Sequence, residues 1–137
     1  MVVDELLRLY PTAWALPRLC TTADRVCSYC LPKGAKLRVL SYAIHRDGRY
    51  WHQPDVFDPD RFSTSKIATI PRHAYIPWVL GPRACLARQI SMLQIKIVLT
   101  AIIQQYTFTC PQTYTVASEA GFPFEPVGPV QMTLIRR

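Results

Sequence analysis

A chain of 137 residues is long enough for one domain and, folding alone, would bury roughly two-thirds of the surface it exposes when unfolded. Sixteen lysines and arginines against nine acidic residues give a net charge of +7, but the cations stand singly, which argues against nucleic-acid binding and suits an acidic protein partner. Five cysteines, an odd number with no secretory leader before them, argue against a disulfide framework, and no apolar run is long enough for a membrane span.

Helical spacing opens the chain. Val2 to Tyr10 predicts a helix with Val2, Val3, Leu6, Leu7 and Tyr10 on a broad apolar face, stopped by Pro11. Glu5 and Arg8 lie three apart in it, a spacing that pairs opposite charges, and the apolar neighbours suggest that the pair is sheltered. Extended chain follows through Trp14 to Leu16 and Arg18 to Thr21. Val26 to Tyr29 and Lys36 to Tyr42 then read as strands around a Pro32-Lys33-Gly34 turn. Cys27 and Cys30 have the spacing of a metal motif, but no second cysteine or histidine pair follows. On a strand, an offset of three also sends the two sulfurs to opposite faces, which disfavours zinc. Arg46 to Trp51 can form one helical turn. Gln53 to Ile76 is a long irregular stretch, rich in proline, of a kind that implies function or an absent partner.

The segment Trp78-Val79-Leu80-Gly81-Pro82-Arg83-Ala84-Cys85-Leu86-Ala87 precedes the strongest element, a helix from Leu86 to about Gln105. One apolar stripe holds Leu86, Ile90, Leu93, Ile97 and Ala101 and another holds Ile95, Val98 and Ile102, so this helix is expected to be buried on most sides. A cysteine just before a helix meets unpaired N–H groups and the positive end of the macrodipole, and Arg83 adds a fixed cation two residues away. Such a sulfur suits a soft metal or haem iron, the competing reading being a small buried hydrophobe. Tyr106 to Thr109 reads as a strand, Gly121 to Pro129 as a hairpin and Gln131 to Ile135 as a closing strand. His45, His52 and His73 have no partner at helical spacing, and His45 reads as structural. No phosphate-binding glycine loop and no serine nucleophile elbow occurs.

The decapeptide 78–87 resembles the cysteine-ligand loop of the cytochrome P450 family. Trp78 stands at the aromatic position, Gly81, Arg83, Cys85 and Ala87 fit, and Val79 departs where the family usually has Gly or Ser. Glu5-Leu6-Leu7-Arg8, followed by Leu9-Tyr10-Pro11, resembles the family's Glu-x-x-Arg helix, and Phe57-Asp58-Pro59-Asp60-Arg61-Phe62 resembles its meander. The resemblance covers essentially the whole of 1–137 and implies one C-terminal, haem-binding part of a P450 domain. That part is an α+β portion of a mainly α fold: a short helix, small hairpins, the meander, a long helix after the cysteine loop, and a closing hairpin. It implies haem b with Cys85 as axial ligand of the iron, Arg83 and Arg18 on the propionates, and Trp78 and Gly81 shaping the loop. It further implies a structural ion triad of Glu5, Arg8 and Arg61, and substrate-facing positions at Trp14, Ala15, Leu16 and Phe122. The implied activity is insertion of one oxygen atom from O2 into a small apolar substrate, with electrons from an acidic redox partner, a reductase or ferredoxin. The long distal helix and its acid–alcohol pair would lie outside this chain, which is then a truncated form. The alternative is a non-catalytic haem-binding or interaction fragment. Compartment, substrate and redox partner are not written in these residues.

Overall fold

The computed structural model describes residues 1–111, 118–119 and 123–137. The first helix, α1, spans Val2–Leu9. Its buried residues are Val3, Glu5, Arg8 and Leu9, whereas Val2, Leu6 and Tyr10 are about half exposed. The periodicity therefore located the helix, and the expected shelter of the charged pair is met, but part of the expected apolar face (Val2, Leu6 and Tyr10) turns outward. The reason lies across the fold, where backbone carbonyls rather than side chains await this helix.

Strand β1 (Leu16–Leu19) pairs antiparallel with β4 (Lys36–Val39), Leu16 opposite Val39 and Arg18 opposite Leu37. Between them β2 (Asp24–Val26) and β3 (Tyr29–Leu31) form a hairpin. Its turn is Cys27-Ser28, since Val26 pairs with Tyr29, and Cys27 takes a positive φ of 54°. The expected turn at Pro32-Lys33-Gly34 exists, but it returns the chain along β1: Gly34 N–H donates to Cys20 O (2.8 Å) and Cys20 N–H to Ala35 O (2.9 Å). Gly34 supplies the positive φ of 86° that this reversal needs. Cys27 thus lies in the turn and Cys30 in β3 opposite Arg25, so strand alternation does not relate their two sulfurs.

The expected strand through Tyr42 ends at Val39, and Ser41–Ile44 forms a single helical turn, α2, just ahead of the predicted one. Ser41 is fully buried and its hydroxyl donates to Ala13 O (2.6 Å), which pulls the chain out of the strand. The irregular stretch contains two 3-10 turns, Pro59–Phe62 and Ile67–Thr69. It folds around a small aromatic core of Trp51, Phe62 and Ala74, with Ile70 and Tyr75 against it.

The long helix α3 spans Arg88–Gln105, and β5 (Tyr106–Thr109) follows it and pairs with β8 (Thr133–Arg136). Two short segments, β6 (Ser118–Glu119) and β7 (Glu125–Pro126), pair between them. The expectation that α3 is buried on most sides is not met: none of its residues is buried, and Ile90, Leu93 and Ile97 are each more than half exposed. Nothing among the described residues supplies a layer to cover it. The chain exposes 10575 Å2, against about 7300 Å2 for a compact monomer of its mass.

The first eighty residues are instead organised by Arg8. Its Nε and Nη2 donate to the two oxygens of Glu5 (2.7 and 2.8 Å), its Nη1 to His45 O (2.7 Å) and Pro54 O (2.6 Å), and Nη2 also to Val56 O (3.2 Å). All five guanidinium protons are used, and both side chains are fully buried. Replacing Arg8→Ala removes the bidentate partner of the buried Glu5 carboxylate and the donor to three backbone carbonyls, at a cost of about 3–5 kcal/mol. In urea titrations followed by circular dichroism, this variant is expected to lose cooperative unfolding. A midpoint equal to that of the parent would refute this account of the pair.

Candidate functional site

The meander reaches the buried pair from outside. Glu5 Oε1 also accepts from the Asp58 N–H (2.8 Å) and lies 3.5 Å from Arg61 Nε, so Glu5, Arg8 and Arg61 meet in one cluster. Asp58 caps its 3-10 turn by accepting from the Asp60 N–H (3.1 Å), and Pro59 starts that turn with its φ already set. This aims Arg61 inward. Its Nη1 donates to His52 O and its Nη2 to Gln53 O (2.9 Å), holding the preceding loop.

Three residues not singled out as site residues connect this cluster to the cysteine loop. Trp51 lies under the Arg8 guanidinium, 5.1 Å from ring centre to carbon, and its indole N–H donates to Ile44 O (3.2 Å). The Tyr75 hydroxyl donates to Asp4 O in α1 (3.0 Å), and burial pushes its pKa well above the usual phenol range. His45 is fully buried between α1 and residue 76. In the sequence the helical offset of Glu5 and Arg8 and the meander resemblance at Arg61 marked the cluster; nothing local marks Trp51 or Tyr75 as its neighbours.

The cysteine loop is closed on itself by backbone bonds. Cys85 N–H donates to Trp78 O (2.9 Å), Ala84 N–H to Gly81 O (3.0 Å) and Val79 N–H to Ile76 O (3.2 Å). A 3-10 turn over Gly81–Arg83 lies inside it, and α3 begins at Arg88 rather than Leu86, its first turn linked back by Arg88 N–H to Cys85 O (3.4 Å). Trp78 is half-buried, while Gly81, Arg83 and Cys85 are exposed. Among the described residues, neither Cys85 nor Arg83 has a side-chain partner.

Arg18 is exposed on β1, its Nη1 bonded only to the neighbouring Pro17 O (2.8 Å). It lines an open groove of about 640 Å3 with Pro17, Leu19 and β4. No bond joins it to the cysteine loop, so the two would reach a shared ligand from separate elements. Trp14 and Ala15 are half-buried and Leu16 buried; the segment is pinned by Ser41 on Ala13 and by Tyr42 N–H to Trp14 O (3.2 Å). Phe122 lies outside the described residues. Two positions on, Phe124 docks beside that segment, donating its N–H to Thr12 O (3.0 Å) and packing on Tyr42 and Tyr10.

The donor set fits a haem: a free, exposed sulfur for iron, and two exposed guanidiniums, those of Arg83 and Arg18, whose planar forks match carboxylates. The misfit is Val79. Its φ is +64°, a conformation that a β-branched residue adopts only under strain, and it stands where the family carries Gly or Ser. Gly81 occupies the same region at +78° without strain, with open space where a Cβ would stand. Val79→Gly is therefore expected to stabilise the chain by about 1 kcal/mol, and Gly81→Ala to destabilise it by about as much, both read as shifts in urea midpoint. Shifts of the reverse sign would show that the loop does not hold these angles.

The family model described as Cytochrome P450 matches residues 1–127. Cytochrome P450 3A11 of Mus musculus is 38% identical over 114 residues, which are 82% of this chain and 23% of that protein. Lithocholate 6-beta-hydroxylase of Mesocricetus auratus is 34% identical over 139 residues, covering 100% of this chain and 28% of that protein. Among solved structures, the heme domain of a cytochrome P450DA mutant superposes with a TM-score of 0.91 at 28% identity, over 98% of this chain and 30% of its own. The chain spans about a quarter of the length of the curated relatives it matches. With the helix, meander and cysteine loop inside the matched span, and with haem b ligated by cysteine as the family's cofactor, this chain belongs to the cytochrome P450 family.

Proposed function

We propose that this chain is the C-terminal, proximal part of a haem–thiolate monooxygenase acting on a small apolar substrate. One observation carries the reading: the Cys85 sulfur is free and exposed at the end of a hydrogen-bonded loop, two residues from an exposed Arg83, and among the described residues neither side chain has a partner. When bound, a thiolate-ligated haem supplies the electron density that favours O–O cleavage. Cys85 would hold the iron, and Arg83 and Arg18 would each take a propionate, fixing the ring's rotation about the iron–sulfur axis. Trp78 would shield the sulfur from water on one side, and Gly81 lets the backbone turn close to it.

Trp14, Ala15 and Leu16 would face the substrate, and the resemblance adds Phe122 as a further substrate-facing position. The relative named for hydroxylating lithocholate supports an apolar substrate of that kind. Electrons would come from an acidic redox partner drawn to the net positive charge. The triad of Glu5, Arg8 and Arg61 does no bond-breaking in this scheme; it fixes the floor on which the loop stands.

A second reading is a non-catalytic haem-binding or interaction fragment, and the uncovered apolar surface of α3 favours it. Reconstitution of the chain with haem separates these readings. The ferrous–CO complex is expected to give the red-shifted Soret band of thiolate ligation, after which the family is named, and Cys85→Ala is expected to abolish it. An unchanged band in that variant would remove Cys85 as ligand. Haem binding without substrate oxidation would favour the second reading.

A further inference from the structure

His45 is the one fully buried histidine, and both of its ring nitrogens are engaged. Nδ1 lies 3.1 Å from Arg8 O, and the Ile76 N–H donates to Nε2 (2.9 Å). The acceptor at Arg8 and the donor at Ile76 leave one consistent tautomer: the proton sits on Nδ1 and the lone pair on Nε2. Arg8 answers with its own Nη1 on His45 O (2.7 Å), so the two residues are tied in both directions. Beyond Ile76 the bonds run on. Ile76 O accepts from Val79, and Trp78 O accepts from Cys85.

We propose that His45 is a positioning residue for the cysteine: a neutral imidazole strut that ties the entry of the loop to the ion-pair helix and thereby sets where the Cys85 sulfur stands. The proposal rests on Cys85 being the haem ligand. The strut itself is a matter of this chain's own bonds. Without it, the loop would still close on itself through Trp78 O, but among the described hydrogen bonds its tie to α1 would be the Tyr75 hydroxyl on Asp4 O.

The surroundings keep the ring neutral. From α1 it faces the Arg8 guanidinium, whose charge Glu5 balances; from its own turn it adjoins Arg46, which is stacked on Tyr42 and paired with Asp55. Asp47, two residues on, is taken by Arg49, and from the loop side the Tyr75 ring lies 5.5 Å away with its hydroxyl spent on Asp4 O. Burial first, and the nearby cations with it, hold the His45 pKa down to about 4. A second proton would point from Nε2 at the Ile76 N–H, donor against donor, and break the strut. Because the folded value lies below the unfolded 6.5, this contribution is complete above that pH and fades as the pH falls towards about 4.

The test reads loop order in the chain without haem, so that its failure and a failed Cys85 assignment are distinguishable. Amide hydrogen exchange, resolved by mass spectrometry, compares the parent with His45→Phe and His45→Gln. Phe keeps the ring and loses both bonds; Gln can restore an acceptor for Ile76. At pH 7, exchange over residues 76–85 is expected to rise on the order of tenfold in the Phe variant and to recover in Gln, with the second half of α3 unchanged as reference. In the parent, the same segment is expected to lose protection as the pH is lowered from 6.5 to 4. Should the Phe variant not fold, NMR of the parent imidazole decides: an Nδ1-protonated ring that stays neutral at pH 5.5 supports the strut. A ring titrating near 6.5, or parent-like exchange in the Phe variant, overturns it.

Discussion

The packing of α1 against residues 45–61 depends on one guanidinium. Burying an unpaired charge costs several kcal/mol, and a buried pair recovers that only when every proton and lone pair is met. Arg8 meets this condition. Its five protons go to Glu5 and to three backbone carbonyls drawn from positions 45, 54 and 56. An apolar side chain could fill the same volume, but it would orphan those carbonyls. The irregular stretch has no ladder of its own to satisfy them, so a cation at its centre replaces secondary structure as the organiser. Twelve prolines in the chain, each lacking an N–H, make such an external donor the more necessary.

From that centre the order passes to the cysteine loop along polar bonds rather than through a thick core. Tyr75 hangs from α1 by its hydroxyl, His45 links α1 to residue 76, and the loop closes on itself between residues 78 and 85. Aromatic packing of Trp51, Phe62 and Tyr75 fills the space beneath. A loop fixed in this way can present a sulfur to an outside ligand while its backbone stays closed. It also tolerates a residue such as Val79 in an awkward conformation, because the bonds on either side impose the angle.

The motifs were legible because each encodes a local geometry. An offset of three on a helix pairs Glu5 with Arg8, an Asp-Pro start aims Arg61, and glycine at position 81 permits its turn. What needed the fold was anything set by a distant partner. Part of the inner face of α1 was misread because its partners are carbonyls, which no hydropathy pattern records. The hairpin turn was placed at Lys33-Gly34 on composition, whereas pairing with β1 claims that turn and leaves Cys27, an unusual residue at positive φ, to make the other. Ser41, a polar residue in a run that looks like strand, ended β4 through its bond to Ala13, a contact 28 residues away in sequence. His45 could be read as structural, but its role between Arg8 and Ile76 could not.

The two ends of the chain are stabilised by different physics. Around Arg8 the five guanidinium protons are all used and the side chain is fully buried, while Arg61 Nε beside it is buried 3.5 Å from Glu5 Oε1 without a hydrogen bond. Along α3 and just before it the backbone is ordered but the side chains are uncovered: Leu86, two residues ahead of the helix, is fully exposed, and Ile90, Leu93 and Ile97 are each more than half exposed. Full burial of a side chain of this size contributes about 1.5–3 kcal/mol, so these four alone represent a sum comparable to the whole net stability of an ordinary domain, about 5–15 kcal/mol. Any surface that covers α3 therefore acts on the cysteine loop as well. The helix begins three residues after Cys85 and is bonded back to its carbonyl, so burying the helix also fixes the downstream end of the loop that residues 76–79 fix upstream.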